Sequence, residues 1–120
     1  MDWIKIAGVC GFLGVALGAF GAHALKARLS PEMLAVWNTG VLYHLIHALA
    51  LLALSLYGKA SGADIRPGAL FFLLGILIFS GTLYALSLTG VKILGAITPL
   101  GGVFFLLGWG WLALKLSSRP

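Results

Sequence analysis

Acidic side chains are scarce: Asp2, Glu32 and Asp64 are the only three in 120 residues, and all sit outside the long apolar runs. That removes the membrane-embedded carboxylate on which proton-coupled transport commonly relies. Cys10 is the single cysteine, which excludes an intrachain disulfide and leaves the redox compartment unread. The eight basic residues give a formal charge of +5, yet they stand singly in loops and termini. Without a basic stripe or stacking aromatics beside them, nucleic acid is not an expected partner. Each glycine cluster lies within an apolar stretch, so a phosphate-cradling loop is missing. No serine has both a histidine and an acid within plausible reach, which argues against a hydrolytic triad. Charge is scarce overall, at 9%, against 61% hydrophobic residues. A soluble domain of this length needs far more polar surface.

What is present is four apolar blocks, each about the length that crosses a hydrocarbon layer of ~30 Å at ~1.5 Å rise per residue. The expected fold is all-α, an integral membrane four-helix bundle forming one domain over residues 1–120, with helices at 6–25, 34–57, 68–88 and 93–114. Ser30-Pro31-Glu32 carries the marks of a helix start: a capping hydroxyl, a first-turn proline and an acid at the positive end of the dipole. Residues 58–66 form the longest polar stretch and are expected to be a surface loop. Pro67 opens the third helix and Gly90 supplies a stop after it. Lys5, the apolar stretch and Ala22-His23-Ala24 resemble the parts of a secretory signal, but the span approaches full transmembrane length, so a retained helix is expected. Four spans put both ends of the chain on one side, with Lys5, Lys59, Arg66, Lys115 and Arg119; Lys26, Arg28 and Lys92 face the other. That imbalance favours cytoplasmic termini.

The first helix carries Ala7, Gly11, Gly14, Gly18 and Gly21 at alternating steps of four and three. Such a small-residue seam lets a neighbouring backbone come close. Packing is its ordinary meaning, and a homo-oligomer through Gly11, Gly14, Gly18 and Gly21 is its further use. Gly95, Gly101, Gly102, Gly108 and Gly110 repeat the theme on the fourth helix, where Pro99 removes a ladder hydrogen bond. Trp3, Trp109 and Trp111 fall where an indole suits the headgroup boundary.

Polar residues are lopsided in depth. His23, Asn38, Thr39, Tyr43, His44, Ser80, Thr82, Tyr84, Ser87 and Thr98 fall in the half away from the termini, with His47 near the midpoint of the second helix. In lipid such groups need partners. A polar pocket, or a hydrogen-bonded plug, is therefore expected from His23, Asn38, Tyr43, His44, His47, Ser80, Tyr84 and Thr98. His44 and His47 share a helix face, but no inward carboxylate completes a metal shell. Cys10 lies about 20 Å along its helix from His23, and His23 about 7 Å shallower than His44, which fits neither a shared metal nor a bis-imidazole haem. Neither metal nor cofactor is expected.

Four stretches then resemble the signatures of one family. They are Gly18-Ala19-Phe20-Gly21-Ala22-His23-Ala24-Leu25, Tyr43-His44-Leu45-Ile46-His47-Ala48-Leu49-Ala50-Leu51-Leu52, Gly75-Ile76-Leu77-Ile78-Phe79-Ser80-Gly81-Thr82-Leu83-Tyr84 and Leu94-Gly95-Ala96-Ile97-Thr98-Pro99-Leu100-Gly101-Gly102. The chain is similar in all four helices to domain-of-unknown-function family 423, which includes bacterial inner-membrane proteins and the eukaryotic transmembrane protein 256 group. Thr82 stands where serine is common, a change that keeps the hydroxyl. The resemblance implies a multi-pass inner-membrane protein and carries over no catalytic or binding residue.

The function expected from these residues is non-enzymatic: a bundle that binds a lipid, a small apolar ligand or a partner helix. An oligomeric transporter or channel is the alternative, similar to small multidrug exporters in size only. A histidine-based metal or haem accessory is the third.

Overall fold

In the computed structural model, which describes residues 1–117, α1 opens at Trp3 because Asp2 caps it: its Oδ1 accepts the Lys5 N–H at 3.1 Å. Among the described residues four helices are long and apolar enough to cross a membrane: α1 (Trp3–Leu25), α2 (Pro31–Ser61), α3 (Arg66–Thr89) and α4 (Ile93–Leu116). Arg119, counted above in the charge balance, lies outside the described residues.

The start at Ser30 follows the cap read from sequence, its Oγ accepting the Met33 N–H at 3.1 Å. The far end of α2 does not stop near Tyr57. It runs a further turn to Ser61 and ends on Gly62 in the left-handed region, φ 75°. The expected loop over residues 58–66 therefore shrinks to a short connector between Ser61 and Arg66. Lys59 and Ser61 are tolerated there because a helix end at the membrane boundary is wet. Gly90, φ 71°, terminates α3 as expected. Pro99 lies inside α4. In three places, Gly21–Leu25, Ile76–Ser80 and Leu112–Leu116, the ladder widens to a π turn.

The helices pack mainly in sequence order, α1 on α2, α2 on α3 and α3 on α4. The seam of α1 is occupied within the chain. A Cβ on Gly14 would meet Leu45 at 2.6 Å, on Gly18 Val41 at 3.1 Å, and on Gly21 the Trp37 indole at 2.5 Å. Of Gly11, Gly14, Gly18 and Gly21, α2 fills three positions, and Gly11 faces open space.

Between α3 and α4 runs a regular antiparallel ladder in which each rung pairs a glycine with a ring. Gly68 meets Trp111, Gly108 meets Phe72, Gly75 meets Phe105, and Gly101 meets Phe79. The glycine alternates between helices, so each ring fills the space that the opposite helix leaves empty. At Gly101 the approach is closest, because an added Cβ would overlap the Phe79 backbone itself. One step further along the same seam, Thr82 Oγ1 and Thr98 Oγ1 share a hydrogen bond of 2.7 Å.

Trp3 stands at the start of α1 but is buried and not presented at the surface. It is 9% exposed and belongs to a core with Ala7, Cys10, Leu51, Leu54 and Phe72.

Candidate functional site

The two histidines of α2 are buried near its middle, and each ring uses both nitrogens. His44 Nε2 lies 2.8 Å from the Cys10 carbonyl oxygen, and Nδ1 lies 2.8 Å from the Tyr84 hydroxyl. A carbonyl oxygen only accepts, so Nε2 carries the proton and Nδ1 accepts from Tyr84. His47 is reversed. Its Nδ1–H donates to the Tyr43 carbonyl at 2.8 Å, while Nε2 accepts the Trp109 indole N–H at 3.0 Å. No acid stands at this depth on any helix, and neutral rings satisfy every contact. The two side chains are thus opposite tautomers one turn apart. His44 ties α2 to α1 and α3, and His47 ties it to α4. His47 also stacks on Phe105, centroids 3.6 Å apart and planes at 9°.

Three further contacts continue the network toward the end remote from the termini. Ser80 is fully buried and its hydroxyl donates to the Gly40 carbonyl at 2.7 Å. Gly40 lets the Tyr84 ring approach, since a Cβ there would lie 2.9 Å from it. Trp37, 1% exposed, donates its indole N–H to the Leu17 carbonyl at 3.0 Å. Every enclosed side-chain nitrogen and oxygen among the described residues has a partner.

The sequence-derived residues therefore divide. His44, His47, Ser80, Tyr84 and Thr98 are drawn into interhelical hydrogen bonds. His23 and Asn38 are exposed and stand apart from them. His23 lies in the last turn of α1 and Asn38 about two turns into α2, both toward the end of the bundle remote from the termini, where a polar group has less need of a neighbouring helix. The arrangement is a chain of separate pairs and not one pocket, and through His47 and Trp109 it crosses the middle of the bundle. Trp109 was expected at a headgroup belt; its N–H instead turns inward to His47 while its ring stays 43% exposed. Trp37 and the Cys10 carbonyl were missed. A backbone carbonyl carries no sequence signal, and Trp37 follows Gly21 only once the α1–α2 register is known.

Tyr43 differs from the rest. Its ring packs on Phe79, centroids 4.7 Å apart, and is 39% exposed. Its carbonyl serves His47, but its hydroxyl makes no hydrogen bond among the described residues. Beside it a groove of about 430 Å³ opens between α2 and α4, lined by Tyr43, His47, Phe79, Pro99, Phe105 and Trp109 among others. Leu106, 72% exposed, and Val103, 49% exposed, form its lip.

The family model described as "Protein of unknown function (DUF423)" matches residues 17–102. The chain belongs to this family. The UPF0382 membrane protein YwdK of Bacillus subtilis is 46% identical over 109 residues, 89% of each chain. UPF0382 membrane protein SH2409 of Staphylococcus haemolyticus is 38% identical over 113 residues, covering 94% of this chain and 93% of its own. A UPF0382 membrane protein of Haemophilus influenzae is 40% identical over 111 residues, covering 92% and 90%. No solved structure matches. The DUF423 match takes in both histidines, Trp37, Ser80, Tyr84 and Thr98, while Trp3, Cys10 and Trp109 lie outside it. Within this DUF423 chain the interhelical hydrogen bonds of α2 with α3 thus fall in the family region, and those to Cys10 and Trp109 reach beyond it.

Proposed function

We propose that this chain is a non-enzymatic membrane protein that holds one amphiphilic lipid in the groove between α2 and α4. An oxygen of that lipid accepts the Tyr43 hydroxyl proton. The observation that carries the reading is the state of that hydroxyl. Among the described residues it is the one hydroxyl in the middle of the spans without a protein partner, and it belongs to a residue roughly 5 Å along α2 from the helix midpoint. A polar group in hydrocarbon is costly unless satisfied. The groove's volume of about 430 Å³ lies in the range that small ligands occupy, and its rings offer apolar walls to an acyl or ring segment. The histidines are committed to neighbouring helices and act as struts behind the groove.

We orient the protein in the bacterial inner membrane with the termini in the cytoplasm. Lys5, Lys59, Arg66 and Lys115 lie at the end of the bundle where the chain starts and finishes, against Lys26, Arg28 and Lys92 at the other.

Native mass spectrometry of mildly extracted protein tests the reading. Wild type is expected to retain a lipid-mass adduct that Tyr43→Phe loses, with helicity unchanged. A wild-type protein without any adduct, or an equal adduct on Tyr43→Phe, overturns it.

A further inference from the structure

A second cavity, of about 340 Å³, lies where α1 begins and α2 ends, and Asp2, Trp3, Ile4, Ser55, Lys59 and Ile65 help to line it. Trp3 is nine-tenths buried, at 9% exposure. Trp37 and Trp109 both spend their indole N–H on protein acceptors; Trp3 has no such bond among the described residues. No enclosed side-chain nitrogen there is left without a partner, so the unbonded Trp3 N–H keeps some accessibility, and Trp3 is among the residues that line this cavity.

The first amides of a helix have no intrahelical acceptor. In α1 the Asp2 side chain takes the Lys5 N–H and the Asp2 carbonyl takes the Ile6 N–H, both at 3.1 Å. The amides of Trp3 and Ile4 remain, at the positive end of the α1 dipole. Lys59 adds an exposed ammonium. Donors therefore converge from the helix start, an indole and a lysine, which suits a phosphate ester. Asp2 contributes a carboxylate on the same rim, a charge that repels a bare phosphate and attracts a cation beside it.

From this juxtaposition we propose that the cavity is a binding site for the headgroup of a zwitterionic phospholipid. Its phosphate meets the Trp3 indole, the free α1 amides and Lys59; its ammonium meets Asp2. The level of the cavity, at the membrane boundary where α1 enters and α2 leaves, is that of lipid headgroups. Ile4 and Ile65 provide apolar wall for the glycerol and the first methylenes. This site is independent of the Tyr43 groove.

The full chain in detergent micelles is titrated with phosphatidylethanolamine, phosphatidylglycerol and diacylglycerol of matched acyl chains, and with soluble glycerophosphoethanolamine, and adducts are counted by native mass spectrometry. Phosphatidylethanolamine is expected to bind best. Trp3→Phe, which keeps a ring and loses the N–H, and Lys59→Gln, an exposed change that spares the core, each weaken it about ten-fold. Asp2→Asn retains a helix cap and erases the preference over phosphatidylglycerol, while Tyr43→Phe leaves this binding unchanged. Equal retention by Trp3→Phe and Lys59→Gln, equal binding of diacylglycerol, or an unaltered preference in Asp2→Asn overturns the proposal. Binding of the soluble ester as tight as that of the lipid overturns the membrane source.

Discussion

The α3–α4 seam and the centre of α2 solve the same problem by different means. Lipid tails are as apolar as leucine, so helices in a bilayer gain little from hiding apolar surface against one another. Along α3 and α4 the answer is contact: glycines remove side chains and rings fill the vacancy, rung after rung. Around α2 it is directional bonding, with His44 and His47 reaching three neighbouring helices. A steric seam fails when an atom is added, and a bonded one fails when an atom is removed. That contrast shows which substitution each region tolerates.

The sharpest break is Gly101→Ala. Its methyl group has backbone, not a flexible side chain, in the way, so α3 and α4 must separate. A loss of about 3 kcal/mol is expected, the upper part of the overpacking range, read by reversible unfolding in mixed micelles. Gly8→Ala on α1 is its control, since nothing lies within 4 Å of the added carbon; a comparable loss there would break the steric account. His44→Phe comes next. It keeps a ring but strands the Tyr84 hydroxyl, and about 1–2 kcal/mol is expected, measured in the same unfolding assay. Should His44→Phe be neutral, the bonded region would hold by packing after all. Trp109→Phe removes one interhelical donor and leaves most of the ring contact. Such bonds in membranes average about 0.6 kcal/mol, so a small loss is expected, together with a change in the His47 ring ¹⁵N shifts and none at His44.

Much of the chain was legible without tertiary information. The caps at Ser30 and Gly90 and the four spans all follow from local features. The polar stretch over residues 58–66 is in part helical because a helix end in the wet boundary accepts Lys59 and Ser61. In the site, the inward turn of His44, His47, Ser80, Tyr84 and Thr98 follows from the cost of bare polar groups in lipid. His23 and Asn38 do not obey it; they stand closer to the ends of their helices than His44 and His47 do, and the cost falls toward the boundary. Tyr43 was grouped with the hydrogen-bonded residues, and its unpartnered hydroxyl became visible only with the groove beside it.

Hydropathy, block length and the scarcity of acids determined by themselves that the solvent is lipid and that four helices cross it, because those properties are summed over neighbours along one segment. Only the tertiary structure decided that Gly101 faces Phe79, that Trp37 reaches Leu17, and that two histidines three residues apart take opposite tautomers. Each depends on the register between helices remote in sequence, and a segment's own residues do not encode the height at which its neighbour stands.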